Sequence, residues 1–520
     1  MFDVLIKNAF VLDGSGKPMV KKDLGLKDGK IEAIESRLDP GKGTRVLDAQ
    51  DKYVSPGFID IQNHSDSYWT LFDQPEQLSL LSQGITSIII GNCGSSLAPL
   101  PTADSIKTIQ KWHNLAGLNI NWASFEEFLT SLKNIKLGVN VGSLVGHANL
   151  RRGLIGDQVR AVSSEEEKVM NQLLSEALRQ GALGLSLGLI YAHEVDSSFD
   201  ELVALAKTLK TPKKYLSVHL RSETGKILDA LDEALALARK AEVGLKISHL
   251  KLRGRINWHL FDEIINKLEN AYHQGLDISF DVYPYDSSWS VLYTYLPKWA
   301  YEGGRNQTLR RIKSGIERRK IIDYLKDQEY EYDKIIVANS ESNLGFVGKS
   351  ITKVAENQGT SNEEAILNVI TANSGQAIVF DHNLSQEQVE MFMSSPLSLI
   401  ATDGAGYSIS QFENLVHPRC FGTMPRFLRL VGEKKILPWE YAIKKITAEP
   451  ARILGLTDRG MIAKGLKADL VIFDPKVVTD RANYEHPHQL SDGIETVIVN
   501  GKISLQDKEV LTLSGKVISR

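Results

Sequence analysis

Residues 215–249 read YLSVHLRSETGKILDALDEALALARKAEVGLKISH. A short apolar run (215–218) is followed by His219, then comes an amphipathic stretch (229–239), and a second run (245–248) is followed by His249. Strand, helix and strand at this spacing predict a parallel pair joined by a crossover helix. The alternation extends both ways. Runs at 58–61, 85–90, 139–144 and 183–187 precede the segment, and runs at 278–282 and 397–400 come after it. Amphipathic stretches at 165–179 and 261–273 fill two of the intervals. Eight such units predict an α/β fold, a (β/α)8 TIM-like barrel with its active site at the C-terminal ends of the strands.

The two ends of the chain read differently. Short strands and turns fill residues 1–55, around the turn cluster Asp13-Gly-Ser-Gly16, and again residues 465–520, around Asp469-Leu-Val-Ile-Phe473 and Glu495-Thr-Val-Ile-Val-Asn500. We expect both termini to build one small β-sandwich domain, with residues 56–464 forming the barrel. Two surplus runs, 335–338 and 377–380, place an insertion at about 288–390, where the mixed-charge stretch 305–326 reads as a solvated helix.

Composition narrows the function. The 520 residues carry 61 basic and 64 acidic side chains, a net charge of −3, which gives no reason to expect nucleic acid or an acidic membrane as partner. No apolar run approaches the ~18 residues of a membrane span. The start, Met1 to Lys7 with Asp3, lacks the basic and apolar regions of a secretory signal. Two cysteines, Cys93 and Cys420, argue against a disulfide framework. A cytoplasmic enzyme is the expectation; oligomeric state leaves no mark in the sequence.

Residues at the C-terminal ends of the runs carry the chemistry. His64 comes after the first, Cys93 after the second, His147 after the third, His219 after the fifth, His249 after the sixth and Asp403 after the eighth. Imidazole, thiolate and carboxylate are zinc donors, and a barrel brings distant strand ends around one axis. Any one of these positions alone reads as a capping or packing residue. Together they read as a metal site.

These positions lie in motifs: Pro56-Gly-Phe-Ile-Asp60 leading to His64, Gly91-Asn-Cys-Gly94, Leu144-Val-Gly-His147, His219-Leu-Arg-Ser-Glu223, Ile247-Ser-His-Leu-Lys251, Asp281-Val-Tyr-Pro-Tyr285, Thr402-Asp-Gly404 and His417-Pro-Arg419. In order and number they resemble the N-acyl-D-amino-acid deacylase (D-aminoacylase) branch of the metal-dependent amidohydrolase superfamily, over nearly the whole chain. The resemblance implies a zinc enzyme that hydrolyses N-acyl-D-amino acids, a small-molecule substrate. It puts Cys93, His219 and His249 on one tightly held Zn2+, names His64 as a further metal-site residue, and makes Asp403 the proton-transfer residue. It points to Lys251, Tyr191 and Tyr283 for the substrate, with Arg221 as a further candidate and Arg419 as a weaker one.

One departure stands out. The family carries His-x-His after the first strand, where this chain has Gln62-Asn63-His64. An amide is a poor zinc ligand, so a second, weaker metal is in doubt. Two other readings stay open: cyclic-amide hydrolysis of the dihydroorotase or hydantoinase kind, against which the absence of a lysine from 183–187 speaks, and a non-catalytic barrel scaffold, whose sole support is Gln62.

Overall fold

The computed structural model describes residues 1–211, 214–340, 343–409 and 414–519. Eight parallel strands form the barrel: Phe58–Asp60, Ile85–Ile90, Asn140–Ser143 continued by Val145–Gly146, Gly184–Gly188, Tyr215–His219, Gly244–Ile247, Ile278–Val282 and Ser398–Ile400. The third strand turns at Leu144, pairing with the second through its first half and with the fourth through its second half. Between the eighth and first strands the ring closes just beyond the strand ends. Asp403 N donates to Gln62 O (2.9 Å) and His64 N to Gly404 O (2.7 Å). Side chains reinforce this seam: Thr402 N and Oγ1 donate to the two oxygens of buried Asp60, at 2.9 and 2.6 Å.

Alternation along each strand sorts the side chains. Leu216, Val218, Leu245 and Ile247 join the core between sheet and helices, while their neighbours point to the axis. Ile59, Ile61, Ile89, Leu183, Tyr215 and Leu399 form an apolar floor. Above it lies a polar layer that includes Ser217, Ser248, Lys246 and Asp281. His219 crowns the fifth strand. The outer helices form where capping and periodicity agree. Ser163 and Glu166 make a reciprocal cap for Ser164–Arg179, which buries Met170, Leu174, Ala177 and Leu178 on one face.

Nine strands from the two ends form one continuous sheet, joined where Tyr53–Pro56 pairs antiparallel with Leu470–Phe473. Ile472 and Ile498 contribute to the sheet's own core with Val4, Ile6 and Leu24, while Val471, Phe473 and Val497 join the barrel core. Ile31 on the far edge is bonded back to Leu466 and Gly465, so the layers of the sandwich are halves of one curled sheet. The last residues leave it. Val141 N donates to Lys516 O and Ile518 N to Val141 O, and Ile518 enters the barrel floor, because an apolar side chain there covers the otherwise open bottom of the barrel.

Between the seventh and eighth strands the chain builds a three-stranded antiparallel sheet, Ser288–Val291, Ile335–Asn339 and Ile378–Asp381, with helices and a core of its own. The stretch read as one solvated helix is two, Gly304–Lys313 and Gly315–Lys326. Ser314 caps the second through Glu317 N, and Ile312, Ile321 and Leu325 are buried.

The seam generates a prediction. Thr402→Val removes the hydroxyl that donates to Asp60 and accepts from Gly404 N (3.0 Å). We expect a loss of about 1–3 kcal/mol, the cost of buried polar groups left unpaired, seen as a lower thermal unfolding midpoint. An unchanged midpoint would show that the ring closes without this bond.

Candidate metal centre

Five strand ends supply the side chains that meet on the axis, and three of them hold unusual backbone. Cys93, His249 and Asp403 lie at φ 52°, 35° and 47°, a left-handed region that non-glycine residues rarely enter. Their surroundings hold them there. His249 N donates to Asp281 Oδ1 (2.9 Å), and Asp403 N is bonded across the seam. Gly91 and Gly94 flank Cys93 because nothing larger fits: a Cβ at Gly91 would stand 2.3 Å from Leu144 O, and one at Gly94 1.9 Å from Glu194 Oε2.

The Cys93 sulfur lies 3.3 Å from His249 Nε2 and 3.7 Å from His64 Nε2. Donor atoms of Cys93, His219 and His249 all fall within 4.8 Å of one another, and so do those of His64, Cys93 and Asp403. All five residues are buried. Burial would raise the Cys93 thiol, but the charge of His249 and the contacts of His249 and His64 with the sulfur hold it well below the usual thiol range. Burial and the charge of His249 lower His219, whose two ring nitrogens have no hydrogen-bond partner. Against burial and Lys251, His249 is pushed up to about 9 by Asp403 and Cys93. A thiolate, a neutral imidazole with orphaned nitrogens and a pull on positive charge are what a cation site requires, and the donor set suits zinc. Behind them, Glu223 Oε1 stands 3.5 Å from His219 Nε2 and 3.3 Å from His249 Nδ1, as a carboxylate that orients ligating histidines would.

Asp403 divides its oxygens between His64 Nε2 (3.1 Å) and Arg419 Nη2 (2.8 Å). Burial alone would raise its carboxyl; Arg419, His249 and His64 hold it well below the ordinary carboxylate range. His64 is raised to about 10, its bonds to Asp403 and Cys93 outweighing burial.

The remaining expected residues divide. Tyr191 is buried with its ring edge-on to His219, centroids 5.1 Å apart. Tyr283 lies under the Arg419 guanidinium at 4.6 Å, its hydroxyl buried without a partner. Lys251 lines the cleft, but its ammonium is engaged by Glu223 (2.5 Å) and His249 Nδ1 (2.7 Å). Arg221 faces away from the cluster. Its guanidinium turns outward to a two-toothed pair with Glu233 at 2.9 Å and to Val195 O, because the fifth-strand turn aims it at the next helix and not at the axis. His147 is structural, bridging Glu194 and Glu201 at 2.9 and 2.8 Å with no exposure. The sequence reading named neither Glu223 nor Lys246 among the candidate residues and gave Arg419 as a weaker one; the structure places all three close to the donor cluster. The signal for Lys246 was present, a charge at the inward position of the run 245–248.

The insertion roofs the centre. Trp289 stacks on Tyr68 at 4.8 Å, with Trp112 5.6 Å from Tyr68. Beneath this roof the cavity is about 20 Å³.

Residues 45–234 and 407–505, together more than half of the chain, match the model of the amidohydrolase family. N-acyl-D-aspartate deacylase of Alcaligenes xylosoxydans xylosoxydans is 33% identical over 96% of this chain and 91% of its own. D-aminoacylase of the same organism is 30% identical over 100% of this chain and 98% of its own. Among solved structures, N-acyl-D-glutamate deacylase from Bordetella bronchiseptica, complexed with zinc and a phosphonate mimic of the tetrahedral intermediate, superposes with a TM-score of 0.84 at 28% identity, covering 100% of both chains. With the barrel, its strand-end donors and these full-length likenesses in agreement, the chain belongs to the amidohydrolase family.

Proposed function

We propose that this chain hydrolyses the amide bond of N-acyl-D-amino acids with one zinc ion, releasing a carboxylate and a free D-amino acid. The observation that carries this reading is the convergence of Cys93, His219 and His249 within 4.8 Å beside an ionised Asp403. Full-length relatives named for deacylation of D-amino acids support it. Cys93, His219 and His249 would hold the zinc, which when bound polarises a carbonyl and acidifies water toward a pKa of ~7. The two cysteines are free thiols, which suits the reducing cytoplasm.

Asp403 does the proton work. It takes a proton from the attacking water as the water oxygen bonds to the carbonyl carbon, and passes it to the amide nitrogen as the C–N bond breaks. Arg419 keeps Asp403 ionised and fixes one of its oxygens.

Arg419 has a second role in this reading. Its Nε and Nη1 are buried without acceptors, as is the Tyr283 hydroxyl. A substrate carboxylate would accept from one of these guanidinium nitrogens and from the Tyr283 hydroxyl, and a planar guanidinium suits it. Lys251 is held by Glu223 and is not free to clamp that carboxylate. The cleft over the centre is narrow, with Tyr68, Trp112 and Trp289 in its lining.

The reading is tested with N-acetyl-D- and N-acetyl-L-amino acids, assayed with and without zinc. We expect turnover of D substrates, lost on chelation and restored by zinc; turnover confined to L substrates or indifferent to chelation would refute it. Asp403→Asn should keep its zinc and lose about 10²–10⁴-fold in kcat, whereas substantial remaining turnover would remove Asp403 from the proton path. Tyr283→Phe deletes one hydrogen bond worth about 1 kcal/mol, so KM should rise several-fold with kcat little changed. Steady-state kinetics showing a kcat loss at constant KM would place Tyr283 in the chemical step instead.

A further inference from the structure

Among the described residues two donor triads share the Cys93 sulfur: one with His219 and His249, the other with His64 and Asp403. The second is crowded by the chain's own donors. Arg419 and His64 occupy the oxygens of Asp403, and Gln62 Nε2 donates to the Cys93 sulfur at 3.1 Å. Gln62 is fully buried, and its other amide atom is also committed: Lys246 Nζ lies 2.6 Å from Gln62 Oε1. Lys246 in turn is paired with Asp281 Oδ2 at 2.6 Å, both side chains essentially unexposed inside the barrel. Asp281 Oδ1 accepts from His249 N.

Each link of this chain can point only one way. An ammonium donates and never accepts, so Lys246 can face only the oxygen of Gln62, which turns the NH2 group toward the sulfur. A thiolate can only accept. The amide therefore cannot flip, and a side chain from the sixth strand orients one from the first. The network reaches two members of the first triad: Cys93 through Gln62, and His249 through Asp281.

We propose that Lys246 and Asp281, acting through Gln62 as positioning residues, reserve the cluster for a single divalent ion. The Gln62 N–H takes up a face of the sulfur that a second ion would need as a bridge. Lys246, its charge balanced by Asp281, locks the amide in that orientation. The inference rests on the reading of Cys93, His219 and His249 as zinc ligands and goes beyond it by naming what excludes another ion.

The test is metal content and affinity in the full-length protein, read by elemental analysis and competition titration with zinc alone. Wild type should retain one zinc per chain and take up no second. Gln62→Leu should retain one, bound about 10–100-fold more weakly, as is usual when a group supporting a ligand is lost. The pair Gln62→His with Lys246→Gln should gain a second equivalent. Should removal of the buried lysine prevent folding, Gln62→Met leaves the Lys246–Asp281 pair intact and reads the same loss of affinity. Two ions of comparable affinity in wild type, a pair variant still limited to one, or Gln62 variants with unaltered affinity would overturn the inference while leaving the zinc reading standing. A wild type that binds no zinc would overturn the zinc reading itself.

Discussion

The centre depends on the position of one sulfur. Cys93 belongs to both donor triads, and it reaches the axis because the turn after the second strand passes through left-handed backbone between two glycines that cannot be enlarged. A cysteine in ordinary strand geometry at this point would point along the alternation, either into the helix layer or down the barrel. The strained turn lifts it to the rim, where the histidines of the fifth and sixth strands already point. Their proximity then lowers the thiol, which makes it a soft anionic donor. Geometry comes first, and the electrostatics are its consequence.

Around that sulfur the barrel alternates charge. Positive Lys251 lies against negative Glu223, Arg419 and protonated His64 against Asp403, and Lys246 against Asp281. Isolated buried charges are costly, and pairs persist only where geometry and further hydrogen bonds satisfy them. Here each anion also contacts a member of the donor cluster: Glu223 meets His219 and His249, Asp281 meets the His249 amide, and Asp403 meets His64. The pairs orient the site as well as neutralise the interior.

Much of this was legible in the sequence because it is local. Short apolar runs ending in a polar or small residue marked the eight strands, and a residue directly after such a run lies at the rim. That suffices for His219 and His249, while Cys93 and Asp403 stand three residues beyond their runs and reach the axis through left-handed turns. What stayed hidden depends on partners across the barrel. Arg221 could face the axis or the next helix, and only the packed position of Glu233 decides. Lys251 is a free cation in sequence and a committed one in the fold. Lys246 was read as part of an apolar run. Its inward register was visible, but its meaning required Gln62 and Asp281, which come from strands far apart in the chain.

Those last three residues show what a histidine at position 62 would meet in this barrel. A histidine that ligates through one nitrogen carries its proton on the other and must donate it. Lys246 has no acceptor to offer and would face that N–H with an N–H of its own. An amide at position 62 resolves the conflict, since it presents an acceptor to the lysine and a donor to the sulfur at the same time. Gln62 is therefore more than a lost ligand. It is the side chain that lets a buried ammonium and a thiolate coexist on one polarised path, and the departure at position 62 is understood only together with the charge on the sixth strand.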